Sequence, residues 1–136
     1  MSVDEDLGGL WSGEYRYSGL DVAVPFTAII TEDGGQFRGI TLEPATFGPV
    51  REGEYEASIR GDRVGQHLWF SKLYDPSTGI QQPPLLYSGS VDSSFRLITG
   101  RWVLPDETDR IHGTFSLSRV AKAPLARAVS RAVRTV

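Results

Sequence analysis

A chain of 136 residues with 40% hydrophobic and 23% charged content has the size and composition of one soluble domain with a single core. It contains no cysteine, which excludes a disulfide framework, thiolate catalysis and thiolate metal sites. The net charge of −3 conceals a split: Arg119, Lys122, Arg127, Arg131 and Arg134 form a +5 tail without an acid, so residues 1–118 carry −8.

The opening MSVDEDLGGL is acidic and has no apolar run, so a secretory signal is not expected. No stretch approaches the roughly 20 apolar residues of a membrane helix. A cytoplasmic location is the expectation. Residues 1–8 read as an acidic arm, 9–118 as one β-domain and 119–136 as a basic tail. In chain order, alternation predicts strands over 10–18, 22–31, 36–43, 54–60, 66–73, 85–91, 95–104 and 110–118. The joints SGLD, EDGG, GDRVG, YDPSTGIQQPP, VDSS and PDETD are rich in residues that favour turns. No helical period precedes residue 119.

Short strands with short connections predict an antiparallel meander, closed into a barrel or folded as a two-sheet sandwich. Glycines favour the barrel. Gly13, Gly39, Gly89, Gly100 and Gly113 all fall inside predicted strands, where glycine marks tight bends and close backbone approach. An eight-stranded barrel needs such kinks. The fold class expected is therefore all-β: an eight-stranded antiparallel up-and-down β-barrel.

Period-two alternation assigns inward positions to Trp11, Tyr15 and Tyr17, then Val24, Phe26, Ala28 and Ile30. Tyr55, Ala57 and Ile59 follow, with Leu85, Tyr87 and Val91. Ile98, Trp102 and Leu104 complete the set with Ile111, Phe115 and Leu117. Strands 3 and 5 are apolar on both faces: Phe37 opposes Ile40 and Leu42, and Leu68, Phe70 and Tyr74 oppose Trp69 and Leu73. Outward Ile29, Ile40, Leu42, Trp69 and Leu73 require cover from a helix, a subunit or a partner. In the tail, Pro124 and the stripe Leu125, Val129, Ala132, Val133 and Val136 predict a short amphipathic helix over 124–135. It would dock on its own barrel or on a second subunit. Its basic residues lack interleaved aromatics, so neither nucleic-acid nor membrane binding is expected.

In an up-and-down barrel, EPATFGPVREGE and YDPSTGIQQPP lie at the same end. Long loops and barrel mouths host ligands, so the opening is expected there. Tyr17, Tyr55, Lys72, Tyr74, Tyr87 and Trp102 are the candidate ligand-binding residues at that end. Lys72 and Tyr74 qualify if the Leu68 face of strand 5 points inward. Trp11, Phe37, Ile59 and Phe115 would plug the other end.

Chemistry motifs are sparse. There is no nucleophile elbow, phosphate loop or HExxH. His67 and His112 oppose the apolar faces beside them, so His112 points outward and His67 does too unless strand 5 is flipped, and no converging inward metal or haem ligands are read. No catalytic residue, metal or cofactor is assigned. An acid–base pair of tyrosine and lysine in the mouth is the one enzymatic reading left open. Glu14, Arg16, Glu56, Arg60 and Arg101 read as outer-face charges and cross-strand pairs.

Three stretches carry a family resemblance. GLWSGEY places Gly-x-Trp at the start of strand 1, ITGRWVL is similar to a tryptophan-bearing strand of streptavidin, and IHGTFSL is similar to a final barrel strand. Residues 9–118 thereby resemble the calycin-type small barrels, the avidin/streptavidin-like and lipocalin-like proteins. The resemblance implies a small-molecule site at the mouth, with Trp102 matching a pocket tryptophan, and it favours a homo-oligomer, dimer or tetramer. The polar biotin contacts are not matched: Gly13 stands where the avidins carry one. The resulting expectation is a barrel holding a partly apolar ligand, planar or carboxylate-bearing, at its long-loop end. The alternative is an interaction protein with a solid core, acting through oligomerisation and its tail helix.

Overall fold

The computed structural model describes residues 6–48, 52–106 and 108–122. Eight strands follow in chain order: β1 Gly9–Tyr17, β2 Ala23–Asp33, β3 Gln36–Pro44, β4 Glu54–Val64, β5 His67–Tyr74, β6 Leu85–Val91, β7 Leu97–Val103 and β8 His112–Lys122. Each pairs antiparallel with its sequence neighbour, and β8 pairs back onto β1, so the sheet is a closed barrel without edges. The sandwich reading falls away. β8 runs beyond its expected end because Ala121 and Lys122 extend the ladder opposite Leu10 and Gly9, past a register shift at Leu10/Trp11. Expected boundaries shift at the starts of β7 and β8. Phe95 is not in the strand but in the preceding turn, at φ 55, and Ile111 precedes β8 and is exposed.

The glycines act by absence of a side chain at points of contact between strands. A Cβ on Gly13 would stand 1.9 Å from the Ser116 carbonyl oxygen, and one on Gly113 would stand 1.6 Å from the Arg16 carbonyl oxygen. Both positions lie on the β1–β8 seam that closes the barrel. Gly39, Gly89 and Gly100 meet neighbouring-strand carbonyls in the same way, and Gly61 on β4 joins them. All six share the inward parity of their strands, so the wall can fold in where no side chain needs room.

Closure settles the ambiguous strands. Phe37, Thr41 and Glu43 of β3 face inward and are buried, as do Leu68, Phe70, Lys72 and Tyr74 of β5. Ile40 and Leu42 are left half-buried outside, while Trp69 (45%) and Leu73 (48%) are exposed. His67 and His112 are exposed, as their parity requires.

The short connections 34–35, 65–66 and 92–96 close one end. There Leu7, at the end of the acidic arm, is fully buried and accepts a 2.8 Å hydrogen bond from the Trp11 indole on its carbonyl. Arg119 covers the Trp11 ring at 4.7 Å. Arg63 grips Glu32 through two 2.8 Å hydrogen bonds, and Glu32 also accepts from the Leu7 amide. This end is sealed. The tail helix expected over 124–135 lies outside the described residues. Among the described residues, no helix is long and apolar enough to cross a membrane.

Candidate functional site

The other four connections leave the barrel at the opposite end, with residues 18–22, 45–48, 52–53, 75–84, 104–106 and 108–111 described. The β5–β6 connection is braced by a single 3-10 turn, Pro76–Thr78, capped by Asp75 and closed by Gly79 at φ 74. Beneath these loops lies a cavity of about 150 Å³. Tyr15, Tyr17, Tyr74, Tyr87 and Trp102 supply its aromatic wall. Phe47 and Gln82 reach in from the long loops. Leu85, Leu104 and Ile111 complete the lining.

Four of the residues expected at the mouth therefore meet in one cavity: Tyr17, Tyr74, Tyr87 and Trp102. Tyr55 and Lys72 do not line it. The Tyr55 hydroxyl donates to the Phe47 carbonyl, and Phe47 packs edge-on against Tyr55 and Tyr74 at 5.6 and 5.8 Å. Tyr55 thus fastens Phe47 beside the mouth.

Lys72 lies beneath the cavity in a polar cluster inside the core. Its ammonium donates to Glu43 Oε1 at 2.6 Å, and both side chains are inaccessible to solvent. The Tyr74 hydroxyl donates to the same oxygen at 2.9 Å, and the Tyr15 hydroxyl donates to Oε2 at 2.5 Å. Four ring centroids surround Lys72 Nζ: Tyr15 at 4.8 Å, Tyr74 at 5.0 Å, Phe26 at 5.1 Å and Tyr87 at 5.9 Å. Their negative faces replace part of the lost hydration of the cation, while the phenols and the ammonium satisfy the carboxylate. Burial pulls the Lys72 amine below its ordinary value, and Glu43 opposes that pull. Burial, reinforced by Glu43, pushes the phenols of Tyr15, Tyr74 and Tyr87 up, so they remain proton donors.

Glu43 was missed by sequence reasoning. It shares parity with Phe37, and assigning that face inward would have placed a carboxylate opposite the interior lysine. Phe47 and Gln82 sit on loops, where no periodicity reports direction.

The cavity's polar groups differ in one respect. The Trp102 indole donates to the Arg16 carbonyl at 3.1 Å, and Tyr15 and Tyr74 are engaged by Glu43. Tyr87 is 2% exposed, lines the cavity, and its hydroxyl has no hydrogen-bond partner among the described residues. Among the described residues, no group of three or more His, Asp or Glu side chains is placed to hold a metal ion.

The fold is an all-β, eight-stranded up-and-down barrel, consistent with the calycin-type layout. No family model, curated protein or solved structure matches the chain.

Proposed function

We propose that the chain is a small-molecule-binding barrel whose ligand enters at the long-loop end. The observation that carries this reading is the unpartnered Tyr87 hydroxyl facing an aromatic cavity. The cavity's size limits the ligand. About 150 Å³ accommodates one benzene-sized ring, well below the roughly 300–1,000 Å³ typical of drug-sized sites. The fitting ligand is planar and partly apolar, with one hydrogen-bonding group for Tyr87. A carboxylate is not required, because Glu43 already matches the charge of Lys72.

Native mass spectrometry of the purified chain, beside its denatured mass, tests for a resident ligand. Titration with phenol, read by tryptophan fluorescence in the Trp11→Phe/Trp69→Phe chain where Trp102 is the one tryptophan left, tests the cavity itself. Tyr87→Phe removes only the hydroxyl and should weaken phenol about tenfold, the effect of one neutral hydrogen bond. Equal affinity in both proteins, or no saturable binding, sinks the assignment.

A second reading rests on the outside of the wall. Trp69, Leu73 and Leu86 are exposed, beside an outer hollow of about 570 Å³ lined in part by Ile29, Ile40 and Leu73. This apolar face supports a homo-oligomer. Sedimentation of the wild type and of Trp69→Ser/Leu73→Ser should then differ. A wild type that is monomeric at all concentrations excludes the oligomer.

A further inference from the structure

The interior lysine has a role that ligand binding alone does not use. Tyr15, Tyr74 and Tyr87 line the cavity on one side and stand 4.8, 5.0 and 5.9 Å from Lys72 Nζ on the other. One layer of rings therefore separates the amine from the cavity. Tyr15 and Tyr74 are tied to Glu43 through their hydroxyls. Tyr87 is stacked on Phe70 at 4.6 Å and has no hydrogen bond to hold it. The amine meets the cavity only when the Tyr87 ring, which also packs on Phe115 and Trp102 at 5.0 and 6.4 Å, turns aside.

We propose that Lys72 captures a small planar aldehyde from the cavity as an imine. This inference rests on the ligand-binding reading and names its substrate class. An amine desolvated among aromatic rings is the setting in which lysines condense with carbonyl compounds, and Glu43 in contact with it supplies the proton acceptor.

The step balances without an external reagent. Glu43 takes one proton from the Lys72 ammonium. The free amine adds to the carbonyl carbon, forming the C–N bond as the C=O π pair moves to oxygen, which Tyr87 stabilises as a hydrogen-bond donor. A proton passes from nitrogen to that oxygen, giving a carbinolamine. Glu43 returns its proton to the carbinolamine hydroxyl, the C–O bond breaks and water leaves. The product is a protonated imine beside the Glu43 carboxylate. One ammonium and one aldehyde have become one iminium and one water, with no net change in charge, so Glu43 is the counter-ion of both the starting ammonium and the final iminium.

The chain suits a direct test, because Lys72 and Lys122 are its only lysines. The full chain carrying Lys122→Arg is incubated with benzaldehyde and sodium cyanoborohydride, then analysed by intact mass and peptide mapping. One adduct per chain on the Lys72 peptide is expected, suppressed by excess phenol. Tyr87→Phe should slow its formation about tenfold or more, while leaving labelling of the terminal amine unchanged. Lys72→Met/Glu43→Gln, which leaves no unpaired charge in the core, should take no adduct there. Two results overturn the inference: labelling confined to the terminal amine, or labelling at Lys72 that phenol does not suppress. If phenol binds and Lys72 stays unlabelled, the imine is wrong and the cavity reading stands. If phenol does not bind either, both fail.

Discussion

Lys72→Met and Glu43→Gln together probe the least tolerant feature of the core. Lys72→Met keeps the volume of the side chain but strands the Glu43 carboxylate with only the Tyr15 and Tyr74 hydroxyls as donors. Glu43→Gln strands the ammonium with an amide and four ring faces. Removing one partner of a fully buried pair costs about 3–5 kcal/mol, because the other charge loses its compensation. The two phenols put Lys72→Met near the lower end of that range. The double variant leaves neither charge behind, and such replacements are close to neutral or stabilising. The expected coupling is therefore at least about 3 kcal/mol, far above that of an exposed ion pair. For a chain of 136 residues, a loss of 1 kcal/mol lowers Tm by roughly 3–4 °C. Each single variant should melt about 10 °C or more below wild type, and the double within a few degrees of it. Urea unfolding followed by tryptophan fluorescence, with calorimetry beside it, gives the four stabilities of the cycle. Additive losses, or a single variant costing under about 1 kcal/mol, would show that the pair is not energetically joined.

The barrel seam and the titrating groups give three further expectations. Gly113→Ala forces a Cβ to within 1.6 Å of a backbone carbonyl that cannot step aside, whereas Gly53→Ala meets nothing within 4 Å and only strains φ 80. The first should cost more than the roughly 1–3 kcal/mol of ordinary overpacking and the second about 1–2 kcal/mol, as measured by urea unfolding; equal losses would refute the close-approach account. Burial, first among the causes, raises the phenols of Tyr15, Tyr17, Tyr74 and Tyr87 above their ordinary 10.0. Above pH 10 the folded chain holds protons that the unfolded chain releases, so these groups lower stability as pH rises. Phenolate absorbance should then appear together with loss of near-ultraviolet dichroism; four phenols ionising in the intact fold near pH 10 would contradict it. Asp92 accepts from the Arg96 and Leu97 amides in the β6–β7 turn, at 2.8 and 3.1 Å, and these bonds, the Arg96 one foremost, lower its carboxyl from 3.8. Its contribution is complete above that value and disappears as pH falls through the lower folded value. Asp92→Asn should flatten the acid limb of the stability curve below about pH 4, and an unchanged limb would count against the turn.

Strand positions, a preference for the barrel and the end that carries the long connections were legible because each depends on local pattern. Alternation reports which side chains share a face, turn residues report where a strand stops, and glycine reports where no Cβ fits. Trp11, Tyr15 and Phe26 needed nothing more to be placed inside. Strands β3 and β5 resisted, since a strand apolar on both faces has the same period in either orientation. Only closure of the ladder decided that Phe37, Glu43 and Lys72 point inward and Trp69 and Leu73 outward. The same closure brought Glu43 and Lys72 within 2.6 Å although they lie 29 residues apart. Residue type and spacing carry no record of that meeting, because electrostatic pairing depends on distance in space. The sequence by itself favoured the barrel and located the end that carries its long connections. The tertiary structure decided that the interior lysine has a carboxylate partner, and that Tyr15 and Tyr74 give their hydroxyls to that carboxylate while Tyr87 does not.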